Sequence, residues 1–362
     1  MDVSDFEFEL PPGLVAQEPL AERGDARMLH LSRATGAISH TRVSALPSLL
    51  RSGDVVVVND TRVFPARLLG HRVPSGGEVE CLLIDRLAAE VNMDPASEAG
   101  RMPGEQRWEA LVHPGQKLKP GARITFEGSR TLHAEVLERQ FFGRRTIRLW
   151  TSDGSPVDEA IDAIGHVPLP PYIKRPDRLE DRDRYQTIFA GRRGSIAAPT
   201  AGLHFTPELV ASLRASGIEV VSITLHVGYG TFKPVRTDTV EEHRLEPERF
   251  EIGEPAARAI NSALDENRRV IGVGTTATRT LEAAAMGDGR VPAGAGATDL
   301  FIFPGFRFRV IQGLLTNFHL PRSSLLMLVS AFGGRERVLA AYRSAVAERY
   351  RFYSYGDAML VL

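Results

Sequence analysis

The sequence predicts an α/β protein: a mixed α/β main domain with an inserted small antiparallel β-barrel domain. Three observations predict it. Continuous apolar runs, such as residues 53–58 (Gly-Asp-Val-Val-Val-Val), alternate with helix-patterned stretches toward both ends of the chain. From about residue 68 that alternation gives way to short period-two segments separated by Gly, Pro and polar turns. And 362 residues is too long for one ordinary core, so two domains are expected.

In chain order, the run at 53–58 reads as a buried strand. It delivers Asn59, Asp60, Thr61 and Arg62 at its C-terminal end, where open α/β sheets place ligands. Strands follow at 78–84, 108–112, 122–126, 132–137 and 145–150, which together suggest a small barrel. Residues 86–107, rich in Ala, Glu, Pro, Met and Gly, read as a mobile surface loop. Strand and helix alternate again from about 155. A helix is expected at 206–215, with Thr206 as N-cap, Pro207 at the first position and Gly217 as the stop. Strands are expected at 220–225, 269–273, 300–303 and 358–362, and helices at 255–267, 276–285, 323–332 and 335–349. In the last helix Val338, Leu339, Tyr342, Ala345, Val346 and Tyr350 keep a 3.6-residue stripe. The barrel domain is therefore expected at 68–154, inside a discontinuous catalytic domain of 1–67 and 155–362.

Composition narrows the function. Hydrophobic residues at 43% and charged residues at 25% are those of a soluble globular protein. No apolar run is long enough to span a membrane, and the acidic N-terminus lacks a signal core. Cys81 is the single cysteine, which excludes an internal disulfide framework and multi-cysteine metal sites. A cytoplasmic protein, by default a monomer, is expected. The net charge of −1 gives no global pull toward nucleic acid, so a polyanion needs a local basic patch.

Four histidines stand at strand or loop boundaries. His204 lies in a run of small residues that includes Thr200 and Gly202; His226 precedes Gly228, Tyr229 and Gly230; His243 and His319 follow, the latter after Asn317. Imidazole gains or loses a proton near neutral pH, so one cleft that moves protons or binds a metal is indicated. The usual metal spacings are absent, and each histidine alone is as readily a backbone-bonded loop residue. A second constellation, Gly274-Thr275-Thr276 with Arg279, joins a strand to a helix through a hydroxyl-rich turn. Free N–H groups there suit an anion or a ribose, although a plain capping turn has the same look. Two glycines around Tyr229 would let its ring approach a flat base. Finally, residues 172–195 hold seven basic and four acidic residues, with Tyr172 and Tyr185 interleaved. Lys174, Arg175, Arg192 and Arg193 are candidate contacts to a nucleic-acid backbone, set against the commoner reading of a solvated face.

Literal strings carry the reading further. Residues 6–20 (FEFELPPGLVAQEPL), 53–68, 168–175, 185–206 (YQTIFAGRRGSIAAPTAGLHFT), 225–235, 273–282, 300–305, 315–332 and 350–360 occur in the order of one family. The chain resembles the S-adenosylmethionine:tRNA ribosyltransferase-isomerases of bacterial queuosine biosynthesis, most weakly in the inserted barrel. The resemblance implies an α/β domain carrying a β-barrel. It also implies transfer of the ribosyl group of S-adenosylmethionine to the aminomethyl-deazaguanine base at the tRNA wobble position, with rearrangement to an epoxycyclopentane and release of adenine and methionine. No metal or redox cofactor is implied; S-adenosylmethionine is consumed.

For that chemistry His204, His226, His319, His243 and Asp60 are the expected proton-transfer residues. Asn59, Thr61, Arg62, Thr200, Gly202, Gly228, Tyr229, Gly230, Thr275, Thr276, Arg279 and Asn317 are the expected substrate contacts. Within that set, Arg62 and Arg279 are expected on the methionine carboxylate. Two positions depart from the family pattern: Glu246 stands where a second histidine is usual after His243, and Arg27 follows Ala26 instead of Ser. A methyltransferase, a metal-dependent hydrolase and a non-catalytic tRNA-binding module are the competing readings.

Overall fold

The computed structural model describes residues 1–87, 104–232 and 235–362. Residues 88–103 of the expected surface loop, and Lys233 and Pro234, lie outside the described residues. The chain forms two compact units: residues 1–63, 170–176 and 183–362, and residues 64–169 with 177–182.

The first unit is built on a nine-stranded sheet. Its spatial order is Gly294–Thr298, Glu248–Ile252, Glu219–Leu225, Val55–Asn59, Val270–Val273, Gly313–Asn317, Ala358–Val361, Arg27–Leu31 and Ile38–Arg42. The four strands from Glu219–Leu225 to Gly313–Asn317 run parallel, and the flanking pairings are mixed. Val55 and Val57 enter one apolar cluster, whereas Val56 and Val58 enter another. Successive side chains of a strand point to opposite faces, so a strand covered on both faces must be apolar throughout. This is why residues 55–58 read as an unbroken run.

The helix Pro207–Ala215 starts where capping predicts, with Thr206 Oγ1 accepting from Leu209 N–H at 3.2 Å. Helices Glu254–Asp265, Gly274–Ala284, Ser324–Gly333 and Arg335–Ala347 follow. One expected strand fails: residues 300–303 are irregular. The strands in that region are Gly294–Thr298 and Gly313–Asn317. Leu300, Phe301 and Phe303 still pack against the core, so their apolar character reports burial and not pairing.

The second unit is a closed barrel of six antiparallel strands: Arg144–Thr151, Gln106–His113, Glu78–Leu87, Arg67–Val73, Arg123–Phe126 and Leu132–Arg139. Cys81, Leu83, Ala110, Val112, Ala134 and Val136 alternate inward along them. The helix Val157–Ile164 adds Val157, Ala160 and Ile161 to the same core. The unit is therefore wider than the expected 68–154, taking in Phe64–Leu169.

Candidate active site

Parallel strands of the first unit end on one side of the sheet, and the loops beyond them form a cavity, as strand C-termini do in open α/β sheets. With its mouth included, it encloses about 560 Å³ of empty space. The strand Val270–Val273 delivers Gly274, Thr275 and Thr276. The strand Gly313–Asn317 delivers Thr316 and Asn317, with His319 just beyond. Gly274 takes φ +84° at the first position of its helix, a backbone angle that glycine tolerates best. Ala197, Ala198, Thr200 and Ala201 supply a wall of small side chains, and Tyr172, Tyr185 and Tyr353 supply aromatic surface. None of the described lining residues carries a charged side chain.

Asn317 is the hinge of this arrangement. Its Nδ2 donates to His204 Nε2 at 3.2 Å and to Tyr353 O at 3.1 Å, while its buried Oδ1 has no hydrogen-bond partner among the described residues. Thr276 Oγ1, also buried, lacks a partner as well. Unpaired buried polar atoms are costly unless something else satisfies them, and both residues line the cavity. Tyr353 has φ +75°, uncommon for a non-glycine residue and a kind of strain that collects at functional sites. Its ring centroid lies 3.8 Å from that of Tyr172, whose hydroxyl bonds to Ser354 Oγ.

The two cavity histidines are held neutral. Burial lowers His319 to about 3, and its Nε2 meets Thr316 Oγ1 at 3.0 Å. Burial, then the charges of Arg23 and Arg351, lowers His204 to about 4. Since Asn317 donates to His204 Nε2, that nitrogen carries the lone pair. At neutral pH both imidazoles are uncharged: neither is an imidazolium acid, and both can accept hydrogen bonds.

The four histidines do not share one cleft. His204 and His319 are linked through Thr316 and Asn317, but His204 opens into a neighbouring cavity with Arg23, Arg184 and Ser354. His226 directly precedes the lining residue Val227. Its Nδ1 lies 3.0 Å from Thr61 Oγ1, which is 2.7 Å from Ser195 Oγ. A Cβ at Gly194 would come within 2.6 Å of the His226 ring, so glycine is what lets that ring lie there. His243 packs edge-on to Phe301 and lines neither cavity. Burial and Arg244 lower its pKa.

Other expected contacts are occupied internally. Asn59 spends its amide on the backbone of Thr61 and Leu225, and Asp60 accepts from Thr224 Oγ1 at 2.6 Å. Arg279 is buried in an ion pair with Glu248, whose other oxygen accepts from Gly228 N–H at 2.8 Å. Its charge is thus already matched inside the protein, which opposes a role on the substrate carboxylate. Arg62 is exposed, and Gly202, Tyr229 and Gly230 lie outside the lining of both cavities. Thr200, Thr275, Thr276 and Asn317 do line the first.

The basic segment runs through both units. Residues 172–176 and 183–195 belong to the first unit and 177–182 to the second. Arg175 bonds to Gln17 O, and Arg192 lies 3.8 Å from Glu251. Lys174 is exposed, and Arg193 stands at the edge strand Arg192–Ser195. Residues missed from the sequence are Tyr353 and Ser354. Both sit inside one of the matching strings, where no spacing marks them. Among the described residues no helix is long and apolar enough to cross a membrane, and no group of His, Cys, Asp and Glu is arranged to hold a metal.

The model of a family described as "Queuosine biosynthesis protein" matches residues 3–361. Relatives named S-adenosylmethionine:tRNA ribosyltransferase-isomerase are 49% identical in Heliobacterium modesticaldum and 47% identical in Desulfitobacterium hafniense, each over the whole of both chains. The crystal structure of S-adenosylmethionine tRNA ribosyltransferase from Thermotoga maritima superposes with a TM-score of 0.54. It is 35% identical and covers 99% of this chain and 100% of its own. Such identities along the full length leave no part of the fold outside the likeness: the chain belongs to the queuosine-biosynthesis family of S-adenosylmethionine:tRNA ribosyltransferase-isomerases.

Proposed function

We propose that the uncharged, tyrosine-lined cavity holds S-adenosylmethionine while its ribosyl group passes to the aminomethyl-deazaguanine base at the tRNA wobble position. Rearrangement then gives epoxyqueuosine, with adenine and methionine released. The observation that carries this reading is the lining: three tyrosines, small residues and three unpaired buried polar atoms, with no charged side chain among the described residues. A sulfonium is a soft, poorly hydrated cation that aromatic faces attract, and a purine stacks on the same faces. The first turn of the helix Gly274–Ala284 has no side-chain cap, so its N–H groups and Thr276 Oγ1 receive the methionine carboxylate in place of Arg279.

Proton handling follows from the charge states. The carbon beside the sulfonium loses a proton, the departing adenine gains one, and ring opening and closure move others. His319 and His204, neutral at the working pH, serve as hydrogen-bond anchors. Burial keeps the Tyr185 and Tyr353 hydroxyls protonated, so they can donate hydrogen bonds to the substrate. His226, with Thr61 and Ser195, positions Val227 against the cavity. No metal or redox group is needed, and the reaction is a cytoplasmic tRNA modification.

Mass spectrometry of precursor tRNA after incubation with S-adenosylmethionine tests the reaction through epoxyqueuosine and free adenine; methyl transfer instead would overturn it. The site is tested by Tyr172. Tyr172→Leu should raise KM for S-adenosylmethionine by about 30-fold, the equivalent of a desolvated cation–π contact of about 2 kcal/mol. Tyr172→Phe should stay within about threefold, because the face and not the hydroxyl is used. Equal losses in both variants would remove the sulfonium from this position.

A further inference from the structure

The second cavity, of about 340 Å³, opens beside the first; Ser354 lines both, and His204 reaches from one to Asn317 in the other. Two of its walls are arginines held in a reciprocal clamp. Arg23 donates to Gln186 O at 2.7 Å and Asp183 O at 3.1 Å, while Arg184 donates back to Ala21 O at 3.2 Å and to Leu20 O. Neither guanidinium has a carboxylate within ion-pair distance among the described residues. A guanidinium offers five N–H donors, and each of these spends only two on backbone carbonyls. The fold therefore places two positive charges in the lining of one cavity, where Arg184 acts unfavourably on Arg23, and leaves three donors of each guanidinium without a hydrogen-bond partner among the described residues. Like charges so placed repel, an arrangement that an anion between them reverses.

We propose that this cavity is an anion subsite for a phosphodiester of the tRNA beside the wobble nucleotide, with Arg23 and Arg184 as its ligands. The inference rests on the reading of the first cavity as the ribosyl-transfer site. A base extruded into the first cavity stays joined to its backbone, so a flanking phosphate must lie within a nucleotide's length of it. The shared wall of Ser354 and His204 meets that requirement. Guanidinium groups are well suited to phosphate because they can bond it through two parallel N–H groups.

The test uses an anticodon stem–loop RNA that carries the aminomethyl-deazaguanine base, prepared with single uncharged methylphosphonate linkages on either side of the wobble nucleotide. One linkage should weaken binding to the wild-type protein about tenfold, the size of a lost charge-assisted hydrogen bond. The same linkage should change binding to Arg184→Gln or Arg23→Gln by less than about twofold, and either variant should lower the salt slope of binding by about 0.7. Because the linkage is varied on an unaltered protein, a poorly folded variant does not decide the matter. If neither linkage weakens wild-type binding, or both weaken wild type and variants alike, the subsite is wrong. If the variants raise KM for S-adenosylmethionine and leave the salt slope unchanged, the anion is the methionine carboxylate and the proposal is overturned. A wild-type protein that fails to modify the all-phosphate stem–loop would instead sink the parent reading.

Discussion

The two cavities meet at Ser354 and at the contact between His204 and Asn317, yet they solve opposite electrostatic problems. The first presents tyrosine faces, hydroxyls and a neutral His319 and carries no charged lining residue among those described. The second presents Arg23 and Arg184, each anchored by backbone carbonyls. A cationic cosubstrate and a polyanionic one suit surfaces of opposite character. A carboxylate in the first cavity would attract the sulfonium, but it would also repel the incoming tRNA. Aromatic faces attract the cation without that penalty. Separating the two tasks by one shared wall lets both substrates approach the same ribosyl group.

The largest expected effect is at the wall itself. Asn317→Ala removes the donor to His204 and Tyr353 and the unpaired Oδ1 at once. It should lower kcat/KM by about 10²–10³, the cost of losing a positioned polar group in a dry site. Tm should fall by only a few degrees, since the residue sits at a strand end. A variant within about threefold of wild type in kcat/KM would show that the two cavities work independently of this contact.

Next in size is the acid sensitivity that the neutral imidazoles impose. His319 is near 3 and His204 near 4 in the folded protein, whereas an unfolded histidine is near 6.5. Below 6.5 the unfolded chain binds protons that the folded one refuses. Stability that is full above pH 6.5 is therefore lost as pH falls toward 4 and 3. Between pH 6.5 and 5 the loss is on the order of 2 kcal/mol per histidine. Urea titrations of His319→Gln should show a flatter pH dependence by about that amount. The comparison also sharpens here. Burial alone depresses His319, but Arg23 and Arg351 contribute at His204. Added salt should thus soften the acid sensitivity of wild type and of His319→Gln, and leave that of His204→Gln nearly unchanged.

What was legible in the sequence follows the same physical divide. The strand at 55–59 and the helix after Thr206 announce themselves, because double-faced burial and capping are local rules. The edge strand Gly294–Thr298 (Gly-Ala-Gly-Ala-Thr) gives no such signal. It pairs with Glu248–Ile252, and Phe250 lies over Gly296, where a Cβ would come within 2.7 Å of the ring. Its strand character comes from its neighbour and not from its own residues. In the site, His204, His319, Thr276 and Asn317 were visible as chemistry in unusual company. Tyr353 and Ser354 were not, because a tyrosine becomes a cavity wall only when residues about 180 positions apart meet. Residues 172–195 counted as basic, but charge along the chain says nothing about which cations are already paired.

That last point yields the smallest expected effect. Arg192 lies 3.8 Å from Glu251, both well exposed, whereas Arg184 faces a cavity with no carboxylate partner among the described residues. An exposed pair contributes at most about 1 kcal/mol and is screened by salt. Removing the Arg192 charge in Arg192→Gln should therefore change tRNA affinity by less than about threefold and the salt slope by less than about 0.3, roughly half the drop expected of Arg184→Gln. Fluorescence anisotropy over a range of salt concentrations measures both variants on one RNA. If Arg192→Gln gave the larger change in slope, the tRNA backbone would run along the edge strand Arg192–Ser195. The charged cavity would then lose its place as the partner of the uncharged one.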